Sequence, residues 1–235
     1  MLKSDWRHDR YLFHVHTSYT DGDLTAAQSV DFAEKAGART VVFLEHIRRE
    51  PRYDVERFSA EVRSAARESV QTVLGFESKL LPDGTLDIDD DCFERAAVVG
   101  MAEHSFPNDP GLLRDTILNV VRTYPLRWPQ VIFVWVHPGL DYLRRLGGGE
   151  QDEAFQQMLR EACGAGVLVE QSLRYGLLSS AMAGRLPTEF LVTGADAHSL
   201  SDLERWAAQH PAAADPENRH CPPIKPDMEP GITLL

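Results

Sequence analysis

The side chains in this chain best able to do chemistry are histidines and carboxylates standing where apolar runs stop. His14 and His16 close the first run, Tyr11 to His16. His46 follows Thr40 to Leu44, and Glu77 follows Gln71 to Phe76. His104 follows Ala96 to Ala102, and His137 follows Val131 to Val136. Asp196 and His198 follow Glu189 to Thr193, and Asp21 stands in the Gly22-containing loop behind the first run. In extended chain, residues i and i+2 share a face, so His14 pairs with His16 and Asp196 with His198. Any one of these taken alone reads as a packed histidine or a capping acid. Taken together, six of the nine histidines lie at run ends, a placement that a metal site explains. Imidazole and carboxylate donors without paired cysteines suit Zn²⁺, Mn²⁺ or Fe²⁺. One such ion takes roughly four to six ligands, so nine candidates point to two or three ions. Glu77, a carboxylate, can bridge two of them.

Those residues must be positioned by what lies between them. Amphipathic stretches of about Thr25 to Ala36, Asp54 to Ser69, Gly111 to Tyr124, Gln151 to Cys163 and Tyr175 to Ala183 alternate with the apolar runs. Val167 to Glu170 adds one more short run, and Pro82-Asp83-Gly84-Thr85 reads as a turn. Such alternation predicts βα units and a mainly parallel sheet. In a parallel barrel every strand delivers its C-terminal end to one rim, where residues from His14 to His198 would meet.

The pieces FHVHTSYTDG, LEH, GFES, AEH, WVHPG, VEQS and GADAH, in this order, resemble the polymerase and histidinol phosphatase (PHP) superfamily. The resemblance runs over about residues 11 to 200. It implies an α/β fold, a distorted (β/α)7 TIM-like barrel forming a single domain over residues 1–210, and a trinuclear metal site that hydrolyses phosphoesters. Within it, His14, His16, Glu77 and Asp196 match the ligands of one ion. Glu77 would bridge to a second ion held with His104 and His137. Asp21, His46 and His198 match the third. Four positions depart from the family pattern: Glu45 stands for a common Asp, Gln171-Ser172 for Ile-Asn, and Ala195 for Ser. None of these removes a ligand.

The totals agree with a globular enzyme: 43% hydrophobic and 26% charged residues over 235 positions. No apolar run reaches the roughly 18–20 residues that span a bilayer, and the polar start lacks a signal-peptide core. Cys92, Cys163 and Cys221 are too scattered for a disulfide framework. A cytoplasmic protein without membrane or partner protein is expected. The net charge of −12 argues against nucleic acid, except a short oligonucleotide as substrate. Six prolines between Pro211 and Pro230 mark residues 211–235 as a tail, packed on the barrel or trailing from it. His8, His210 and His220 read as surface residues, Cys163 as core, and Trp128 and Trp135 as packing.

The expected reaction is metal-dependent hydrolysis of a small phosphomonoester, histidinol-phosphatase-like, by metal-bound water or hydroxide without a covalent phosphoenzyme. Arg174 resembles an arginine that binds substrate phosphate in the family. Lys79 and Arg48, two residues beyond Glu77 and His46, are further candidate phosphate contacts. Two other readings are a phosphodiesterase or 3′–5′ exonuclease on short nucleic acids, and a metal-dependent hydrolase of a non-phosphate bond.

Overall fold

Seven runs rich in Val, Phe, Leu and Ile form seven strands in the computed structural model, which describes residues 10–210. They are β1 (Tyr11–Val15), β2 (Thr40–Ile47), β3 (Gln71–Lys79), β4 (Val98–Ala102), β5 (Ile132–Trp135), β6 (Leu168–Ser172) and β7 (Leu191–Gly194). All neighbours pair in parallel and in chain order. The segment just after β7 then reaches back to β1. The amides of Ala195 and His16 donate to the carbonyls of Phe13 and Ala197 at 2.9 Å, and Ala197 N donates to His14 O at 2.9 Å. The sheet is thereby nearly closed into the TIM-like barrel that the resemblance implies.

Side-chain parity sorts the strands into two layers. Phe13, Val42, Leu44, Val98, Val134, Leu168 and Val192 pack together within the sheet. Their alternates, among them Val41, Phe43, Val99, Phe133 and Val169, pack against the helices. Two glycines occupy the inner parity. A Cβ on Gly75 would lie 2.6 Å from Leu44 Cδ2, and one on Gly100 would lie 2.9 Å from Val136 Cγ1. Stepping by two along the inward series leads from Leu44 to His46, from Gly75 to Glu77 and from Val192 through Gly194 to Asp196. The parity that fills the core also aims the polar ends of the strands at one place.

The helices are α1 (Ala26–Lys35), α2 (Val55–Ala65), α3 (Asp90–Arg95), α4 (Pro110–Arg127), α5 (Leu140–Arg144), α6 (Glu153–Gly164), α7 (Ser180–Ala183) and α8 (Leu200–Gln209), with a 3₁₀ turn at Thr188–Phe190. The expected helix over Tyr175 to Ala183 is cut to its last four residues. Gly176 (φ 59°) and Leu178 (φ 53°) leave the helical region, and Leu177 bridges back to Ser172. β2 and β3 run past their expected ends and carry Glu45, His46 and Glu77 inside the sheet. Cys163 and Trp135 are buried, and Trp128 stacks on Phe93 with ring centroids 4.9 Å apart. His210 is half-buried rather than a surface residue, because its ring stacks on Trp206 at 5.3 Å. His8, His220, Cys221 and the Pro-rich stretch 211–235 lie outside the described residues. No helix among the described residues is long and apolar enough to cross a membrane.

Candidate metal centre

All nine sequence-predicted ligand residues meet at the C-terminal rim, but not by simple alternation. His14 lies in a bulge where the β1–β2 register slips, with φ at 70°. His137 (φ 31°) and Asp196 (φ 46°) also adopt the left-handed region that non-glycine residues avoid. Each such residue costs about 1–3 kcal/mol and persists where surrounding structure holds it. The strain is concentrated on the residues that carry the donors.

Glu77 stands at the middle, with its two oxygens facing different partners. Oε1 lies 2.7 Å from His104 Nε2 and 3.1 Å from His137 Nε2. Oε2 lies 3.1 Å from His14 Nε2, 3.2 Å from His16 Nε2 and 3.5 Å from His46 Nδ1. Asp196 Oδ1 is 3.3 Å from His16 Nε2 and 3.4 Å from His198 Nδ1. Asp21, half-exposed, reaches His46 at 3.3 Å and His198 at 3.4 Å. A tetrahedral ion with bonds near 2.0–2.1 Å sets its ligand atoms about 3.3 Å apart, the spacing found here.

Three groups have donor atoms close enough to hold an ion: His16, Asp21, His46 and His198; His14, Glu77 and His137; and His14, His16 and Asp196. The grouping differs from the expected one in detail. His16 also stands with the outer set, His14 also stands with Glu77 and His137, and His104 belongs to none of the three groups, although it lies 2.7 Å from Glu77 and its ring is 4.6 Å from that of His137.

The charge balance favours cations. Burial opposes charge on His14, yet the carboxylates of Glu170 and Asp196, with Glu77, hold its imidazole up at about 10. Burial likewise opposes charge on His16 and His137, and neighbouring carboxylates raise both. His198 and His46 hold Asp21 well below the usual carboxylate range. Burial would raise Glu77, but four surrounding histidines bring it well down. Both ring nitrogens of His16 and Nδ1 of His137 are buried without a hydrogen-bond partner among the described residues. Such orphaned polar atoms are costly in a folded interior, and coordination to a divalent ion satisfies them. The donor set fits such ions.

Three further glutamates, buried and outside the ligand set, hold the ligands in place. Glu170 accepts from His14 Nδ1 at 2.8 Å and from His137 N, so it orients one imidazole and pins the backbone of another. Glu45 accepts from Thr17 N at 2.9 Å and from the hydroxyls of Thr17 and Thr20, tying down the loop that carries Asp21. Glu103 accepts from Trp135 Nε1 at 3.1 Å and from the amides of Gly139, Asp141 and Tyr142. It fastens the loop beside His137. Sequence reasoning missed these roles. The available signal was an acid at the end of an apolar run, as in LEH, AEH and VEQ.

A cleft of about 560 Å³ opens onto the centre along the ends of β1 to β4. Lys79 and Arg48 line it, as do Arg52, Tyr19, Thr20 and Ser105. Arg174 lies on the other flank. Its Nη1 donates to Asp196 O at 3.0 Å and lies 2.6 Å from His198 Nδ1.

No family model matches this sequence, and no curated protein is similar to it in sequence. Solved structures do match in fold. The Lactococcus lactis histidinol phosphate phosphatase, determined with Zn, L-histidinol and phosphate, superposes with a TM-score of 0.57 at 15% identity. That match covers 85% of this chain and 91% of the other. A Listeria monocytogenes protein provisionally assigned as a histidinol phosphatase gives a TM-score of 0.61 at 13% identity, over 86% and 100% of the two chains. This chain therefore has the fold of those proteins.

Proposed function

We propose that this chain is a PHP-type metal-dependent phosphoesterase that hydrolyses a small phosphomonoester. The observation that carries the reading is the central carboxylate. Glu77 directs one oxygen to His104 and His137 and the other to His14, His16 and His46, as a ligand bridging two cations must. In this reading His14, His16, Glu77 and Asp196 hold one ion, Glu77, His104 and His137 a second, and Asp21, His46 and His198 a third. Divalent ions so placed supply positive charge against the phosphate and lower the pKa of a bound water towards about 7.

The chain's own residues do the rest. Glu170 accepts the proton at His14 Nδ1 and so leaves Nε2 directed at the centre. Arg174 is fixed through Nη1, while its Nη2 makes no hydrogen bond among the described residues and is available to a phosphate oxygen. Lys79 and Arg48 line the cleft on the β2–β3 side of the ligand cluster, across it from Arg174. Strand ends and loops fastened by Glu45 and Glu103 keep these groups in register while substrate enters.

A panel of histidinol phosphate, nucleotides, sugar phosphates and dinucleotides, assayed after loading with Mn²⁺, Zn²⁺ or Fe²⁺, tests the proposal. Metal-dependent release of phosphate from at least one monoester is expected. His14→Ala combined with His16→Ala should abolish that activity and lower the bound metal, with the circular dichroism spectrum retained. Absence of turnover on every ester with metal bound would sink it.

A further inference from the structure

The walls of the cleft are charged in a way the phosphate alone does not require. Apart from Asp21 and Glu77, which belong to the metal-ligand cluster, its lining contains no acid. It does contain three cations, Arg48, Arg52 and Lys79, in a protein with 36 acidic against 24 basic residues. Among the described residues Arg48 has one counter-charge, Asp87 at 3.8 Å, and Asp87 is itself engaged by the amide of Arg49 at 3.1 Å. The side chains of Arg52 and Lys79 make no ion pair or hydrogen bond among the described residues. All three stand on the β2–β3 side, whereas Arg174 stands across the metal ligands beside Asp196 and His198.

We infer that Arg48, Arg52 and Lys79 form a second anion subsite, which takes a carboxylate or phosphate on the leaving alcohol of the substrate. The inference rests on the phosphoesterase reading and sharpens it. Arg174 and the metal centre receive the scissile phosphate, and the opposite wall receives the other anion. A cleft of about 560 Å³ accommodates both ends of one small molecule. The same wall repels an amino alcohol, whose ammonium group would face three like charges. Esters with an anionic alcohol are therefore preferred over esters with a cationic one.

The test uses two ligands that cannot be hydrolysed and differ in one group: 3-phosphonopropionate and propylphosphonate. Their Kd values for the metal-loaded protein are measured by calorimetry. Three cations facing one added carboxylate should tighten binding roughly tenfold. That advantage should disappear in Arg52→Gln and in Arg52→Gln/Lys79→Met. Arg52 is exposed and its side chain has no partner among the described residues, so the single variant leaves the fold intact. In kinetics, the ratio of kcat/KM for phosphoglycolate over phosphoethanolamine should fall in the same variants. Equal affinity for the two phosphonates, or an advantage that survives both variants, overturns the subsite while leaving the phosphoesterase reading in place. A dinucleotide that binds more than tenfold tighter than 3-phosphonopropionate also overturns it, because the cations would then track a nucleic-acid backbone. If neither phosphonate binds and no ester is turned over, it is the phosphoesterase reading that fails.

Discussion

Glu170 can reach His14 because residue 194 has no side chain. A Cβ there would overlap Glu170 Oε1, and the crowding continues to its Cδ and Cγ. Gly194→Ala must push the carboxylate away from both His14 Nδ1 and His137 N. Loss of an orienting partner behind a metal-binding histidine typically costs about 10–100-fold in activity or metal affinity. Gly194→Ala should show that loss in kcat/KM with its barrel still folded; wild-type kinetics would mean that Glu170 does not orient His14. Arg174→Ala should act differently, raising KM for a phosphate ester by about tenfold or more, since a charge-assisted contact is worth roughly 1.5–3 kcal/mol. An unchanged KM would take Arg174 out of the substrate site. At this scale the nine ligand-type residues could be picked out as histidines and acids at or just beyond the ends of apolar runs, although inward parity leads only to His46, Glu77 and Asp196. The supporting roles of Glu45, Glu103 and Glu170 were not legible. Their partners, Thr17 and Thr20, Gly139 and Tyr142, His14 and His137, lie far away in sequence, and only the closed barrel brings them together.

Elements explain where the reading of strand ends failed. The apolar run Thr40 to Leu44 meets charge at Glu45, yet β2 continues to Ile47. Glu45 is paid for inside the sheet by Thr17 and Thr20, so it need not leave it. In the same way Glu77 sits within β3 because five imidazoles surround it. α8 had no place in the sequence reading, although its start was written there. Ser199 and Asp202 form a capping box, and Asp202 also accepts from the amide of His198 at 3.0 Å. The loop between β5 and α5 depends on one side chain, Glu103, which gathers three backbone amides and an indole. Glu103→Gln keeps the volume but turns an amide donor towards those donors. It should cost about 1–3 kcal/mol in chemical denaturation, the range for a buried polar group left unsatisfied. It should also loosen metal binding, because His137 rides on the same loop. A stability within a few tenths of a kcal/mol of wild type would show that the loop is held by packing alone.

For the whole molecule, the centre and the closure of the barrel are one problem. The seam between β1 and the segment after β7 consists of short links among Phe13, His14, His16, Ala195 and Ala197. Ligand-type residues flank it on both sides, His14 and His16 on one and Asp196 and His198 on the other. His14 and Asp196 also carry positive φ, so the seam holds two of the five strained non-glycine residues among the described residues. A cation shared by His16 and Asp196 would clamp the two edges and relieve the repulsion between the carboxylates of Glu77 and Asp196. Binding to the folded state alone stabilises it by about 2.7 kcal/mol at a hundredfold the Kd, or roughly 5–10 °C in Tm for a chain of this size. Chelation should therefore lower Tm by at least that amount, and Asp196→Asn should shrink the metal-induced rise. The location of the effect distinguishes a clamp from general stabilisation. Without metal, hydrogen exchange should quicken at the amides of His16, Ala195 and Ala197, while the amides pairing β3 with β4 keep their protection. Equal protection at the seam with and without metal would separate the ions from the closure of the barrel.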